Sequence, residues 1–379
     1  MRRFLAKLGL AFAATLLILA ILEGVVRWVD PVVNRDPWWK YDALLGWRAD
    51  PKNGHFDGVL ASGFRHRDFP LHKPAGVKRL VILGDSFSLG AAVKASQTFA
   101  ARLEEQLDRP GLDWQVLNLA VNDWGTSQQL IALKEIGLAY QPDAVLLQTF
   151  PLNDLCNNCP IMAFTCSYQD AHRPYLLPRK GPGDEKWELT YIDWWAPLRA
   201  SRLFLWAESI IDQRGVDDAG SEEHEKRGRR LQRNAEAAGL KWEGGVSSLL
   251  PEEEQQPQVK GCWRITEALV EDIRDVLQER GIPLIGLVVP FSATFEQRWP
   301  EMLERFPAPM QRTYASDRME RIFRSKGIPV ISGRQRILQS SAPLDSFFVS
   351  QDDGHFSAEG HARVADWIED ALRLEGLVP

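Results

Sequence analysis

The sequence predicts an α/β fold: a three-layer α/β/α sandwich around a mostly parallel five-stranded sheet, preceded by one membrane-spanning helix and interrupted by a long lid-like insertion. Three observations carry that reading. Short apolar runs alternate with amphipathic stretches from Arg79 onward, the alternation breaks once between Leu155 and Lys260, and an uncharged run from Leu8 to Leu22 follows Arg2, Arg3 and Lys7. A chain of 379 residues with 45% hydrophobic content can bury a full core. Its 51 acidic and 45 basic residues leave a net charge of -6, without the basic excess that nucleic-acid binding shows.

In chain order, residues 1–7 read as a cytoplasmic N-terminus and 8–29 as a transmembrane anchor. The 15 residues Leu8 to Leu22 cover about 22 Å, and Gly24 to Val29 extend the span toward the roughly 30 Å of a bilayer core. The run ends in Ile21, Leu22 and Glu23 rather than at small residues, which favours an uncleaved anchor over a signal peptide. Positive charge ahead of the span places the remainder in the periplasm or outside the cell. Residues 30–75, rich in aromatics but without a sustained period, read as a loop-rich linker to a domain over 76–379.

Within the domain, the buried strand Leu80–Leu83 is followed by a helix over Thr98–Leu107, a strand over Trp114–Val121, a helix over Ser127–Leu138 and a strand over Ala144–Phe150. An insertion over 155–260 intervenes, with a charged, apolar-poor stretch at Asp217–Gly239. The alternation resumes with a helix over Thr266–Arg280, a strand over Ile282–Pro290, a helix over Tyr314–Lys326, a strand over Ile328–Ser332 and a helix over Ala358–Leu374. Strands alternating with helices mean βαβ units and a parallel sheet, here of flavodoxin-like type.

Cys156, Cys159, Cys166 and Cys262 are even in number and suit an oxidising compartment, so disulfides are expected. Zinc is the rival reading, because Cys156 and Cys159 have knuckle spacing. No second Cys-x2-Cys or His-x3-His pair completes a finger, and three disulfide pairings remain open.

Ligands of an open parallel sheet sit beyond the carboxyl ends of its strands. After the first strand come Gly84, Asp85 and Ser86; after the second Asn122, Asp123, Trp124 and Gly125; after the third Asn153 and Asp154; near the C-terminus Asp352, Asp353, His355 and His361. One rim thus gathers a hydroxyl, an imidazole with nearby acids and an amide. Serine attacks a carbonyl only when an imidazole takes its proton, and the imidazole needs a carboxylate on its other nitrogen. The tetrahedral intermediate needs hydrogen-bond donors aimed at its oxyanion. The sequence lacks the Gly-x-Ser-x-Gly elbow of α/β-hydrolases, since Ser88 stands where the second glycine would be.

"GDSFSLG" (Gly84–Gly90), "LND" (Leu152–Asp154) and "DDGHFSAEGH" (Asp352–His361) resemble the conserved blocks of the SGNH or GDSL hydrolases. The resemblance implies Ser86 as nucleophile, His355 as base, Asp352 as the acid orienting it, and an oxyanion hole from the Ser86 N–H, Asp123 and the Asn153 amide, with no cofactor. Asp353 is the alternative orienting acid, and Gly125 is a reserve oxyanion donor. The family's second block reads Ser-Gly where this chain has Asn122 and Asp123, so a carboxylate beside a developing oxyanion threatens turnover. The anchor, "GWR" (Gly46–Arg48) and "GFR" (Gly63–Arg65) are similar to single-span exported members linked to cell-surface polysaccharides.

The reading is therefore a membrane-anchored serine esterase acting on an acylated carbohydrate or other small ester. Alternatives are a polysaccharide O-acetyltransferase with the same site and a non-catalytic glycan-binding or assembly protein. Neither metal nor nucleic acid is expected. His361 reads as a helix-face residue, and His55, His66, His72, His172 and His224 as surface or linker residues. Among the 14 tryptophans, Trp124 is the best placed to stack on a sugar, with Trp38, Trp39, Trp194 and Trp195 near proposed loops.

Overall fold

The alternation of apolar and amphipathic stretches becomes a five-stranded parallel sheet with helices on both faces. This is seen in a computed structural model that describes residues 2–29, 39–163, 173–180, 187–192, 201, 203, 247–300, 303 and 310–379, apart from 43, 53, 351 and 352. In chain order the elements are α1 (Arg2–Val29), β1 (Trp39–Asp42), β2 (Gly46–Ala49), β3 (Lys78–Leu83), α2 (Ser86–Leu89), α3 (Phe99–Leu107), β4 (Trp114–Asn118) and α4 (Thr126–Glu135). They continue with β5 (Ala144–Thr149), α5 (Pro151–Asn157), α6 (Pro160–Ala163), β6 (Tyr175–Lys180), β7 (Trp187–Ile192) and α7 (Pro257–Gln278). Then come β8 (Leu284–Val288), α8 (Tyr314–Ser325), β9 (Val330–Ser332) and, after two short helices at Gly333–Gln339 and Leu344–Phe347, α9 (Ala358–Leu374).

The sheet order is β4-β3-β5-β8-β9 and every pair is parallel. The first strand lies inside the sheet, between the second and the third. The chain therefore leaves β3 toward one side and β5 toward the other, which opens a crevice at their carboxyl ends. Period-two alternation divides the core between the faces: Val81 and Leu83 pack with α4, α7 and α8, whereas Leu80 and Ile82 pack with α3 and α9.

The segment expected to be a loop-rich linker is part of the domain. Asp42 accepts hydrogen bonds from the N–H groups of Leu44 and Leu45, forming the turn of a β1–β2 hairpin, and Trp39 and Trp47 are buried in the core. Farther on, the buried Arg65 guanidinium donates to the carbonyls of Asp57, Leu89, Gly90 and Val93 and pairs with the Asp57 carboxylate. Composition hid this role because the segment has no helical or strand period, while its energetics rest on a few large side chains and one fork-shaped cation.

The helix expected from Thr266 begins at Pro257, in the first turn where a proline costs no hydrogen bond. The insertion therefore ends inside the stretch assigned to it. A disulfide joins Cys159 to Cys262, tying the start of the insertion to α7, so Cys159 does not serve a zinc knuckle with Cys156. Cys156 is also disulfide-bonded. Cys166, Trp38, Trp194, Trp195, His172, His224 and the Asp217–Gly239 stretch lie outside the described residues. The N-terminal helix holds an exposed window, Gly9–Val26, of mean hydropathy 2.3. It is long and apolar enough to cross a membrane, a property shared with signal sequences.

His361 on α9 is buried, as a helix-face residue should be. Its ring lies 5.5 Å from Phe99 and its Nδ1 accepts the Phe99 N–H at 3.1 Å, satisfying an otherwise unpaired donor in the first turn of α3. Burial, with the charges of Arg65 and His355, pushes its pKa down to about 3. The folded state thus holds neutral imidazole. The stability this contributes is complete above the ordinary pKa of 6.5 and is lost as pH falls toward 3, at up to about 1.4 kcal/mol per pH unit. In denaturant titrations, His361→Asn should trail the native protein at pH 7, and the gap should shrink by on the order of 2 kcal/mol at pH 5. An unchanged gap refutes the assignment.

Candidate active site

Ser86 opens α2 directly after β3. Asp85 caps that helix, its Oδ1 accepting the Phe87 N–H at 3.0 Å. Gly84 is needed because a Cβ there would lie 2.3 Å from Ser88 Oγ and 2.5 Å from Gln148 Oε1. Those two groups are bonded to each other at 2.8 Å, and Gln148 also accepts the Asp85 N–H at 3.0 Å. β5 thereby fixes the turn that carries the serine.

His355 reaches the serine from the loop before α9. Ser86 Oγ and His355 Nε2 are 2.8 Å apart, and His355 Nδ1 lies 2.6 Å from Asp353 Oδ1. A carboxylate only accepts, so Nδ1 carries the proton and Nε2 accepts from the serine hydroxyl. The imidazole is also held by aromatic packing, with the Phe87 ring 5.0 Å away.

Asp353 thus stands where Asp352 was expected; Asp352 itself lies outside the described residues. The local geometry explains the choice. Asp353 Oδ1 accepts the His355 main-chain N–H at 3.0 Å as well as its ring, and the Asp353 N–H donates to Ser350 Oγ at 2.9 Å. This two-residue turn holds carboxylate and imidazole in one rigid unit. Partial burial pushes the Asp353 carboxyl up, but the hydrogen bonds from His355 outweigh it and leave the pKa below the ordinary range.

Asn153, on α5 after β5, directs its amide Nδ2 toward Asp85 Oδ2, at a long 3.4 Å. Burial raises the Asp85 pKa to about 6, against the hydrogen bond from the Phe87 N–H. Keeping Asp85 ionised at neutral pH therefore costs on the order of 3 kcal/mol. Burial raises the neighbouring Asp154 as well, reinforced by the Asp85 charge. Its carboxylate accepts from Thr126 Oγ1 and the Phe150 N–H.

One helical turn beyond Asn153, Asn157 donates to the Asp123 carbonyl at 3.0 Å and to its carboxylate at 3.1 Å. α5 therefore spans the Ser86 turn and the Asp123 turn side by side. Asp123 adopts left-handed backbone, φ 59°, at a cost of about 1–2 kcal/mol for a residue with a Cβ. Arg173 compensates: its guanidinium donates to the Asp123 carbonyl at 2.7 Å and pairs with the carboxylate at 3.1 Å, and such charged hydrogen bonds contribute about 1.5–3 kcal/mol each. Nothing in the sequence around Arg173 marked it.

Two other expectations need correction. Gly125 is not a reserve donor, because its N–H faces Gln128 Oε1 at 3.3 Å and it is the N-cap of α4. It must be glycine, since a Cβ would approach Asn157 to 2.7 Å. Trp124 is fully buried and its Nε1–H donates to the Trp47 carbonyl at 3.1 Å, so it cannot stack on a sugar. Among the described residues no cluster of His, Cys, Asp and Glu could hold a metal ion.

Residues 249–378 match the family model described as "SGNH hydrolase-like domain, acetyltransferase AlgX". That stretch contains Asp353 and His355 but not Ser86. No curated protein matches the chain. Among solved structures, the psychrotrophic esterase EstA from Pseudoalteromonas sp. is 11% identical, with 79% of this chain and 100% of that one covered at TM-score 0.37. A GDSL-like lipase from Bacteroides thetaiotaomicron is 11% identical, covering 79% and 89% at TM-score 0.35. A two-domain esterase active on acetylated mannans is 12% identical, covering 78% and 49% at TM-score 0.38.

A fluorophosphonate probe reads the serine–imidazole–carboxylate geometry directly, through its rate of reaction with Ser86. Asp353→Asn should slow labelling by about 10³-fold or more, by favouring the wrong imidazole tautomer, while Asp352→Asn should stay within a few-fold of the native protein. The reverse pattern returns the orienting role to Asp352.

Proposed function

We propose, for a chain whose C-terminal third is SGNH hydrolase-like, that it is a membrane-anchored serine esterase that removes ester-linked acyl groups from a carbohydrate. One observation carries the reading: Ser86, His355 and Asp353 form a continuous hydrogen-bonded chain at 2.8 and 2.6 Å. That chain lies at the crevice where the connections of β3 and β5 diverge.

In the reaction, His355 Nε2 takes the Ser86 proton as Oγ attacks the ester carbonyl. The ester's alkoxy oxygen leaves with that proton, and an acyl-serine remains. Water, deprotonated by His355, then attacks the acyl-serine, releasing the carboxylic acid and restoring the serine. Asp353 stabilises the imidazolium in both halves. The Ser86 and Asp123 N–H groups and the second amide proton of Asn153 serve as oxyanion donors, with Asp85 orienting that amide. The half-buried Phe150, whose ring centroid is 4.9 Å from Phe87, gives the mouth an apolar wall suited to a short acyl chain.

The family description names an acetyltransferase, which favours a second reading in which a sugar hydroxyl replaces water in the second step. The same residues perform both reactions, and what differs is the exclusion of water. The apolar helix α1 anchors the protein, with the catalytic domain on the far side of the membrane.

Full-length protein should hydrolyse p-nitrophenyl acetate and be labelled at Ser86 by a fluorophosphonate. Ser86→Ala should abolish labelling and lower turnover by about 10³-fold or more. Folded native protein that shows neither behaviour sinks both acyl-transfer readings. Acetate appearing as free acid identifies the hydrolase, and acetate on an added oligosaccharide identifies the transferase.

A further inference from the structure

The insertion reaches the turn after β4 through Arg173 as well as through the end of α5. Arg173 precedes β6, its side chain is fully buried, and its guanidinium carbon lies 4.9 Å from the centroid of the Trp47 ring. Its Nη1 donates to the Asp123 carbonyl at 2.7 Å and to Gln128 Oε1 at 2.9 Å, while Nη2 donates to the Asp123 carboxylate at 3.1 Å. The hairpin meets the same turn, since Trp47 Nε1–H donates to the Asn122 carbonyl at 3.0 Å. The turn after β4 is thus gripped from the insertion, the hairpin and, through Asn157, α5.

A left-handed aspartate beside a site that develops negative charge is unfavourable twice: its backbone is strained, and its carboxylate repels the oxyanion. Arg173 answers both with one planar group, because its fork holds carbonyl and carboxylate together and its charge neutralises the acid. A lysine could not make the same pair of contacts.

We propose that Arg173 is a positioning residue for the acyl-transfer site, fixing the Asp123 turn in its left-handed conformation and neutralising the carboxylate. The insertion is then a working part of the oxyanion site. This rests on the esterase or transferase reading for its catalytic consequence, and on geometry alone for its structural one.

The test compares full-length native protein, Arg173→Ala, Arg173→Lys, Asp123→Gly and the double variant Asp123→Gly/Arg173→Ala. Two readouts are used: p-nitrophenyl acetate kinetics, and amide hydrogen exchange of the peptide covering residues 119–130. Arg173→Ala should lower kcat by about 10–100-fold with KM within a few-fold, and should speed exchange in the turn. Arg173→Lys should recover only part of either loss.

The double variant should raise kcat severalfold above Arg173→Ala and slow exchange again, because glycine keeps the main-chain N–H that serves as donor, adopts the left-handed conformation unaided and leaves no acid to neutralise. A double variant no better than Arg173→Ala overturns the proposal, as does an Arg173→Ala protein with native exchange and kcat. Should Arg173→Ala fail to fold, Arg173→Lys carries the same comparison with Asp123→Gly/Arg173→Lys. If native protein shows neither hydrolysis nor Ser86 labelling, the acyl-transfer reading fails, and the exchange measurements still decide the role of Arg173.

Discussion

The hydrogen bond between Ser86 and His355 closes a sequence separation of 269 residues, and the rest of the molecule is arranged to make that closure reproducible. Neither side chain holds its own position. The serine turn is set by Gln148 from the adjacent strand, and the imidazole by a two-residue turn whose aspartate binds both its main chain and its ring. A sheet with its first strand inside brings the β3 and β5 ends together, so donor and amide emerge a strand apart. Errors along the chain are absorbed by a core that is rigid on both faces.

The site also carries a stability cost. Two buried acids, Asp85 and Asp154, lie close enough that each carboxyl is raised by burial and Asp154 further by Asp85. Removing such groups from water is unfavourable on the order of kilocalories each. What that cost supports is the N-cap of the Ser86 helix and the main-chain tie at Phe150. The left-handed backbone of Asp123 adds local strain beside the same helix α5.

Much of the fold was legible because it rests on periodicity. Runs such as Leu80–Leu83 and Ala144–Thr149 are buried on both faces and read as parallel strands, and the last helix occupies Ala358–Leu374 as its apolar spacing required. The serine and histidine were legible from their motifs and their order along the chain. What escaped was long-range and specific to individual side chains. Sequence spacing does not separate Asp353 from Asp352 as the partner of His355, Trp124 could be judged exposed or buried only once its neighbours were placed, and Arg173 has no local pattern at all. The Trp39–Trp47 hairpin escaped because two four-residue strands leave almost no period to detect.

The Arg65 clamp gives the polypeptide between the apolar helix and the first sheet strand a mechanical meaning. Its guanidinium holds the carbonyls of Leu89, at the end of the serine helix, and of Gly90 and Val93 in the loop that follows, while Trp39, Trp47 and Phe64 fill the core. From Trp39 onward this segment is a strap packed on the domain rather than a loose tether. A truncation that removes α1 must stop before Trp39, because one nearer residue 76 would strip away a wall of the domain.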